Sequence, residues 1–209
     1  MMEMIDLFST KIYKTKIDKN LYNYDELLSI IEENYKIQPS RLDVTDFTAN
    51  THNYYEGWNN EKFKKLNLEY LSKIYFKETK KFFTYYKIEE NVDWSMSIVN
   101  LSASKKHQGI AIHDHLPAFY STVHYLRLTQ EQQKIRFFNP LSIGKYTGSL
   151  YNLDKIKNHI DNSNLYQSWT FDVEEDDMIF FPSYLEHDVV YGETDDLRIS
   201  ISNNIYLEQ

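Results

Sequence analysis

Three stretches of the chain carry side chains able to hold a metal ion and an anion. His113-Asp114-His115 sets two imidazoles two residues apart, and in extended chain such residues share a face, with Asp114 on the other. His187 lies far downstream and opens the alternating run His187-Asp188-Val189-Val190-Tyr191, after the apolar Met178-Ile179-Phe180-Phe181 and a turn begun by Pro182. Eleven positions later comes Arg198-Ile199-Ser200, inside a third run that continues to Leu207. Imidazole suits iron, copper, nickel and zinc, which it binds at about 2 Å. Two ligands from one strand end and a third from a distant strand make a facial set, with open positions for a substrate or dioxygen. The short H-x-H alone recurs by chance, so the reading depends on His187 standing opposite it.

Arg198 raises a separate question. A guanidinium buried in a barrel needs a carboxylate or phosphate partner, because an unpaired buried charge is costly. An anionic ligand would meet that need, and so would a structural ion pair to Asp195, Asp196 or Glu208. Spacing alone leaves the two even. His52, His107 and His159 read as surface or satisfied core residues.

These side chains need elements to position them. Residues 6–13 read as a short strand. Asn23 followed three residues later by Glu26 is a capping-box arrangement, and Leu21, Tyr24, Leu28, Ile31 and Tyr35 recur at helical spacing. The pattern predicts a helix over 24–36. Phe63, Leu66, Tyr70, Ile74 and Phe82 predict a second helix over 60–86. The period then becomes two, with Trp94, Met96 and Ile98 on one face. Eight strand-like runs follow, at 94–101, 109–115, 118–128, 134–139, 168–173, 177–182, 187–192 and 196–207. Helices first and strands after predict an α+β chain, a double-stranded β-helix (jelly-roll) with N-terminal helices packed on one sheet. In a rolled sheet of that kind the end of the second run and the start of the seventh meet at one mouth. Residues 37–59 and 140–167 lack a clear period and are the expected recognition loops, with a helical turn at 154–159. The chain reads as one domain, 1–209, made of a helical part (1–90) and a β core (91–209).

Composition narrows the function. No cysteine is present, which excludes disulfides, thiolate metal sites and a cysteine nucleophile. The formal net charge of -8 argues against phosphate-backbone binding to nucleic acid. No apolar stretch reaches the ~20 residues of a membrane helix, and the first residues lack the pattern of a signal peptide. A cytoplasmic protein is the expectation.

The motifs together resemble the iron(II)- and 2-oxoglutarate-dependent oxygenases, most nearly the bacterial and phage 2OG-Fe(II) oxygenases with H-x-H-P, S-G-V-Y-Y-L, F-P-S-x-L-x-H and R-x-S-x-x-x-N. Here those stretches read His113-Asp114-His115-Leu116-Pro117, Ser121-Thr122-Val123-His124-Tyr125-Leu126, Phe181-Pro182-Ser183-Tyr184-Leu185-Glu186-His187 and Arg198-Ile199-Ser200-Ile201-Ser202-Asn203-Asn204. The resemblance covers roughly residues 92–205. It implies that His113, His115 and His187 bind Fe(II) and that Arg198 holds the distal carboxylate of 2-oxoglutarate, assisted by Tyr125 and Ser200. It implies oxidative decarboxylation of the cosubstrate to succinate, coupled to hydroxylation of a small molecule or a protein side chain. Phe180, Tyr184 and Phe119 are candidates for the wall of the site. His115 stands where much of the wider superfamily has Asp or Glu, so three neutral imidazoles leave the metal more positive. Two other readings of the residues stay open: a cupin-like three-histidine dioxygenase that uses no cosubstrate, and a non-catalytic β-sandwich binding protein. Neither substrate identity nor oligomeric state is readable from the residues.

Overall fold

A computed structural model describes residues 10–37, 52–53, 64–88, 91–129, 134–140, 168–190 and 192–208. In chain order the elements are β1 (Tyr13–Lys16), a 3-10 turn (Lys19–Leu21), α1 (Tyr24–Ile37), β2 (His52–Asn53), α2 (Glu69–Tyr86), β3 (Trp94–Ser104), β4 (Ile110–His113), β5 (Tyr120–Arg127), β6 (Ile135–Phe138), β7 (Ser168–Thr170), β8 (Asp177–Pro182), β9 (His187–Val189) and β10 (Arg198–Leu207). Two antiparallel sheets result, a six-stranded one in the order β1-β8-β5-β10-β3-β2 and a four-stranded one in the order β4-β9-β6-β7. Strands β3 to β10 are the eight of the expected jelly-roll. Among the described residues no helix is long and apolar enough to cross a membrane.

α1 begins where expected, although Asn23 and Glu26 meet side chain to side chain (2.5 Å) and not through the backbone. Its buried face is Leu27, Leu28, Ile31, Asn34 and Tyr35. Asn34 is polar but satisfied, accepting from Lys64 N (2.9 Å) and donating to Lys64 O (3.0 Å). That clamp ties the segment before α2 to α1, with Leu66 and Leu68 buried. α2 is accordingly shorter than predicted. It starts at Glu69, whose N–H donates to Asn67 Oδ1 (3.0 Å), and residues 64–68 are not helical. Its phase differs too: Leu71, Tyr75, Thr79, Phe82 and Phe83 face inward, while Tyr70 is 62% exposed. The helix ends at Lys87, whose left-handed backbone (φ 62°) turns its N–H back onto Phe83 O and Thr84 O.

The first described strand lies at Tyr13–Lys16, pairing Tyr13 with Phe180 across β1 and β8; of the expected 6–13, residues 10–12 are not in a strand. Residues 6–9, the 140–167 insert with its predicted turn, and all of 37–59 except β2 and Ile37 lie outside the described residues.

Both faces of the six-stranded sheet are buried. On one, Leu101, Tyr120, Met178, Phe180, Ile199 and Ile201 pack against α1 and α2. On the other, Val123, Tyr125, Ile179 and Phe181 pack against Ile135 and Phe137 of the four-stranded sheet. Period two does this: in β8, Phe180 stacks on Phe82 of α2 (4.9 Å between ring centroids), and its neighbour Phe181 meets Phe137 (5.0 Å) inside the barrel.

Candidate metal centre

The β4–β9 ladder sets His113 directly opposite His187. His115 lies just past the end of β4, in a turn held by two backbone bonds: His115 N–H donates to Ser183 O (2.8 Å) and His115 O accepts from Ala118 N–H (3.0 Å). Ser183 belongs to the turn that leads from β8 to His187, so the two ligand-bearing turns are tied to each other. Ring centroids stand 4.2 Å apart for His113 and His187, and 5.1 Å apart for His115 and either partner. One ring nitrogen from each residue lies within 4.8 Å of the other two. The predicted convergence is therefore present.

Electronically the rings suit a cation. His113 Nδ1 donates to Ala111 O (2.8 Å) and His187 Nδ1 to Leu185 O (2.9 Å). Those bonds fix the tautomer and leave each Nε2 lone pair free to ligate. Burial, followed by the neighbouring His113, pushes His187 down to about 3. The same two causes push His115 down to about 4, opposed by Asp114. Near neutral pH both rings are unprotonated, the state a metal requires. Phe181 (4.8 Å) and Phe137 (5.8 Å) enclose the His187 ring.

Deeper along the same interior lies Arg198, 2% exposed. Its guanidinium sits 5.3 Å from the centre of the Tyr125 ring and donates to Ser200 Oγ (3.1 Å). Ser200 Oγ in turn meets Ser102 Oγ (2.9 Å), which backs it from β3. Burial raises Tyr125 to about 12, with the Arg198 charge pulling the other way, so the phenol keeps its proton. Its hydroxyl is buried with no hydrogen bond of regular geometry among the described residues. A guanidinium, a serine hydroxyl and a phenol beside that guanidinium fit a carboxylate.

Of the predicted wall, Tyr184 is half exposed at the mouth. Phe180 and Phe119 belong to the helix-side core; the aromatics at the metal site are Phe137 and Phe181, the latter one position over from Phe180. A one-residue shift in a strand exchanges faces. Sequence reasoning missed Ser102, Phe137 and a buried trio in which Ser121 Oγ meets Ser183 Oγ (2.8 Å) and donates to Asn204 Oδ1 (2.9 Å). Hydroxyl-bearing residues in an otherwise apolar strand, as in Leu101-Ser102-Ala103-Ser104, were the available signal.

A family model described as "Putative 2OG-Fe(II) oxygenase" matches residues 99–204, which include all six predicted site residues. No curated protein matches the chain. Among solved structures, the carbocyclase SnoK from nogalamycin biosynthesis is similar at 10% identity and a TM-score of 0.55, covering 95% of this chain and 80% of that one. The 2-oxoglutarate complex of the collagen prolyl hydroxylase of Paramecium Bursaria Chlorella virus-1 follows at 16% identity and a TM-score of 0.51, covering 92% and 95%. A 2OG-Fe(II) oxygenase family oxidoreductase from Burkholderia pseudomallei, at 11% identity and a TM-score of 0.47, is matched over 68% of this chain, which spans only 59% of that protein. The structural likeness speaks for the fold, and the family match covers half of the sequence. The chain belongs to the 2OG-Fe(II) oxygenases, oxidoreductases that work with iron(II) and 2-oxoglutarate.

Proposed function

We propose that His113, His115 and His187 hold the iron through their free ring nitrogens, and that Arg198, with Ser200 and Tyr125, receives the distal carboxylate of 2-oxoglutarate. On this reading the chain is a hydroxylase in which one domain, 1–209, supplies every group, and its setting is the cytoplasm. The observation that carries it is the pairing of His113 with His187 across β4 and β9, with a buried arginine on the interior of the same barrel. Bound together, iron(II) and 2-oxoglutarate supply an oxidation in which the cosubstrate is decarboxylated to succinate as dioxygen is reduced.

The protein's own part is placement. The carbonyls of Ala111 and Leu185 orient two of the rings and enhance their basicity. Ser102 holds the Ser200 hydroxyl beside the guanidinium, so a carboxylate arriving there meets donors already in position. Phe181 and Phe137 keep water from the His187 ring. The substrate is a small molecule or a protein side chain entering at the mouth near Tyr184.

Anaerobic addition of iron(II) and then 2-oxoglutarate is expected to give a weak visible charge-transfer band, and admission of air to give succinate. If neither appears under any condition, the reading is wrong. The all-imidazole ligand set favours one competitor, a three-histidine dioxygenase without cosubstrate. Oxidation that proceeds equally well without 2-oxoglutarate would establish that alternative.

A further inference from the structure

At the triad end of the six-stranded sheet, on its helix side, lies an open groove of roughly 990 Å³. Its walls are phenol-rich: Tyr13, Tyr85, Tyr86, Tyr120, Tyr184 and Tyr206 all line it. Tyr85 is 74% exposed and Tyr184 50%, so ring faces are presented to whatever lies in the groove. Two prolines, Pro117 and Pro182, line it as well. Pro117 stands two residues after His115, and Pro182, the last residue of β8, five before His187. The groove and the mouth of the barrel therefore share a rim.

Charge distinguishes this surface from the rest of the molecule. The chain has 31 acidic and 23 basic residues, yet among the described residues no Asp or Glu lines the groove, whereas Lys11 and Lys87 do. Both lysines are exposed, and neither forms an ion pair among the described residues. Phenol hydroxyls and two ammonium groups favour an anionic occupant. Exposed aromatic faces favour the flat apolar rings of proline in extended chain, which loses little entropy on docking. A groove this size lies at the upper limit for a single small ligand.

We propose that the groove seats an extended polypeptide segment containing proline and acidic residues, as the flanking part of a protein substrate whose target side chain reaches the metal centre. The assignment of this segment to a substrate rests on the oxygenase reading. Binding in the groove does not, and is measured separately.

The test uses the full chain, without metal or 2-oxoglutarate, and two fluorescein-labelled twelve-residue peptides, (Pro-Pro-Glu)4 and (Pro-Pro-Lys)4, followed by anisotropy at low and high salt. The acidic peptide is expected to bind saturably and more weakly as salt rises. Tyr85→Ala is expected to weaken it by about 3- to 10-fold, the range of one lost aromatic contact. Lys87→Glu is expected to weaken it further at low salt than at high salt. His113→Ala should leave peptide binding unchanged while removing metal binding, so loss of the two functions can be told apart. Three outcomes would overturn the proposal: no saturable binding, equal binding of both peptides, or insensitivity to both groove substitutions. Loss of peptide binding in His113→Ala would move the peptide site to the triad and overturn it as well.

Discussion

His187 and Arg198 ask different things of the protein, and substituting each should separate them. His187 is buried, neutral and directly across from His113. His187→Ala removes a third of the proposed ligand set, and iron content after anaerobic loading and desalting should fall to near zero. Retention of stoichiometric iron would count against His187 as a ligand. Arg198→Met should do the reverse, leaving metal content intact while weakening 2-oxoglutarate binding by about 100-fold, the loss of a charge-assisted bidentate contact worth about 3 kcal/mol. Burial depresses the Arg198 pKa, a sign that its charge is held at a cost. A methionine of similar length should therefore leave stability unchanged or raise it. Denaturant melts read beside calorimetric 2-oxoglutarate titrations would check both halves. These two residues were legible in the chain because strand alternation and Pro182 fix their faces. Ser102 was less so: a hydroxyl in an apolar strand marks a polar interior position, but its role depends on its partner Ser200.

At the scale of elements, β5 joins the two halves of the fold. Tyr125 faces the barrel, whereas His124 points to the helices and hydrogen-bonds Tyr75 of α2 through Nδ1 (2.8 Å). Burial pushes His124 down to about 3, below its ordinary value near 6.5. The unfolded chain therefore binds a proton that the folded chain does not between those values, and stability falls as pH drops below about 6.5. His124→Leu should cost about 1–3 kcal/mol at pH 8, because it leaves the Tyr75 hydroxyl unpaired. The same variant should lose less stability between pH 6.5 and pH 5 than the parent does. Urea melts at several pH values would show it, and parallel pH curves would refute the role given to His124. The helices themselves were only partly legible. α1 follows its apolar spacing closely. α2 begins nine residues later than its pattern suggests, and the buried amide of Asn34 binds the Lys64 backbone outside the helix, a tertiary contact that no local window contains.

On the scale of the whole molecule, the eight strands and their mouth were readable because alternation and turn residues are local. The pairing of β1 with β8 was not, since it joins Tyr13 to Phe180 across most of the chain. That pairing matters for what counts as a self-sufficient unit. The six-stranded sheet is apolar on both sides, and one side is covered by α1 and α2, both outside residues 99–204 that carry the family signature. A fragment consisting of 99–204 should fail to give a dispersed NMR spectrum or a cooperative melt, where the full chain gives both.

The stacking of Phe82 on Phe180 has a consequence for how such enzymes diverge. The family signature lies within residues 99–204, while the helices that roof one apolar face of its larger sheet lie outside that string. Transplanting the motif into another oxygenase would carry the chemistry without its shelter. Grafts that exchange the roof and the chamber together are the ones that should survive.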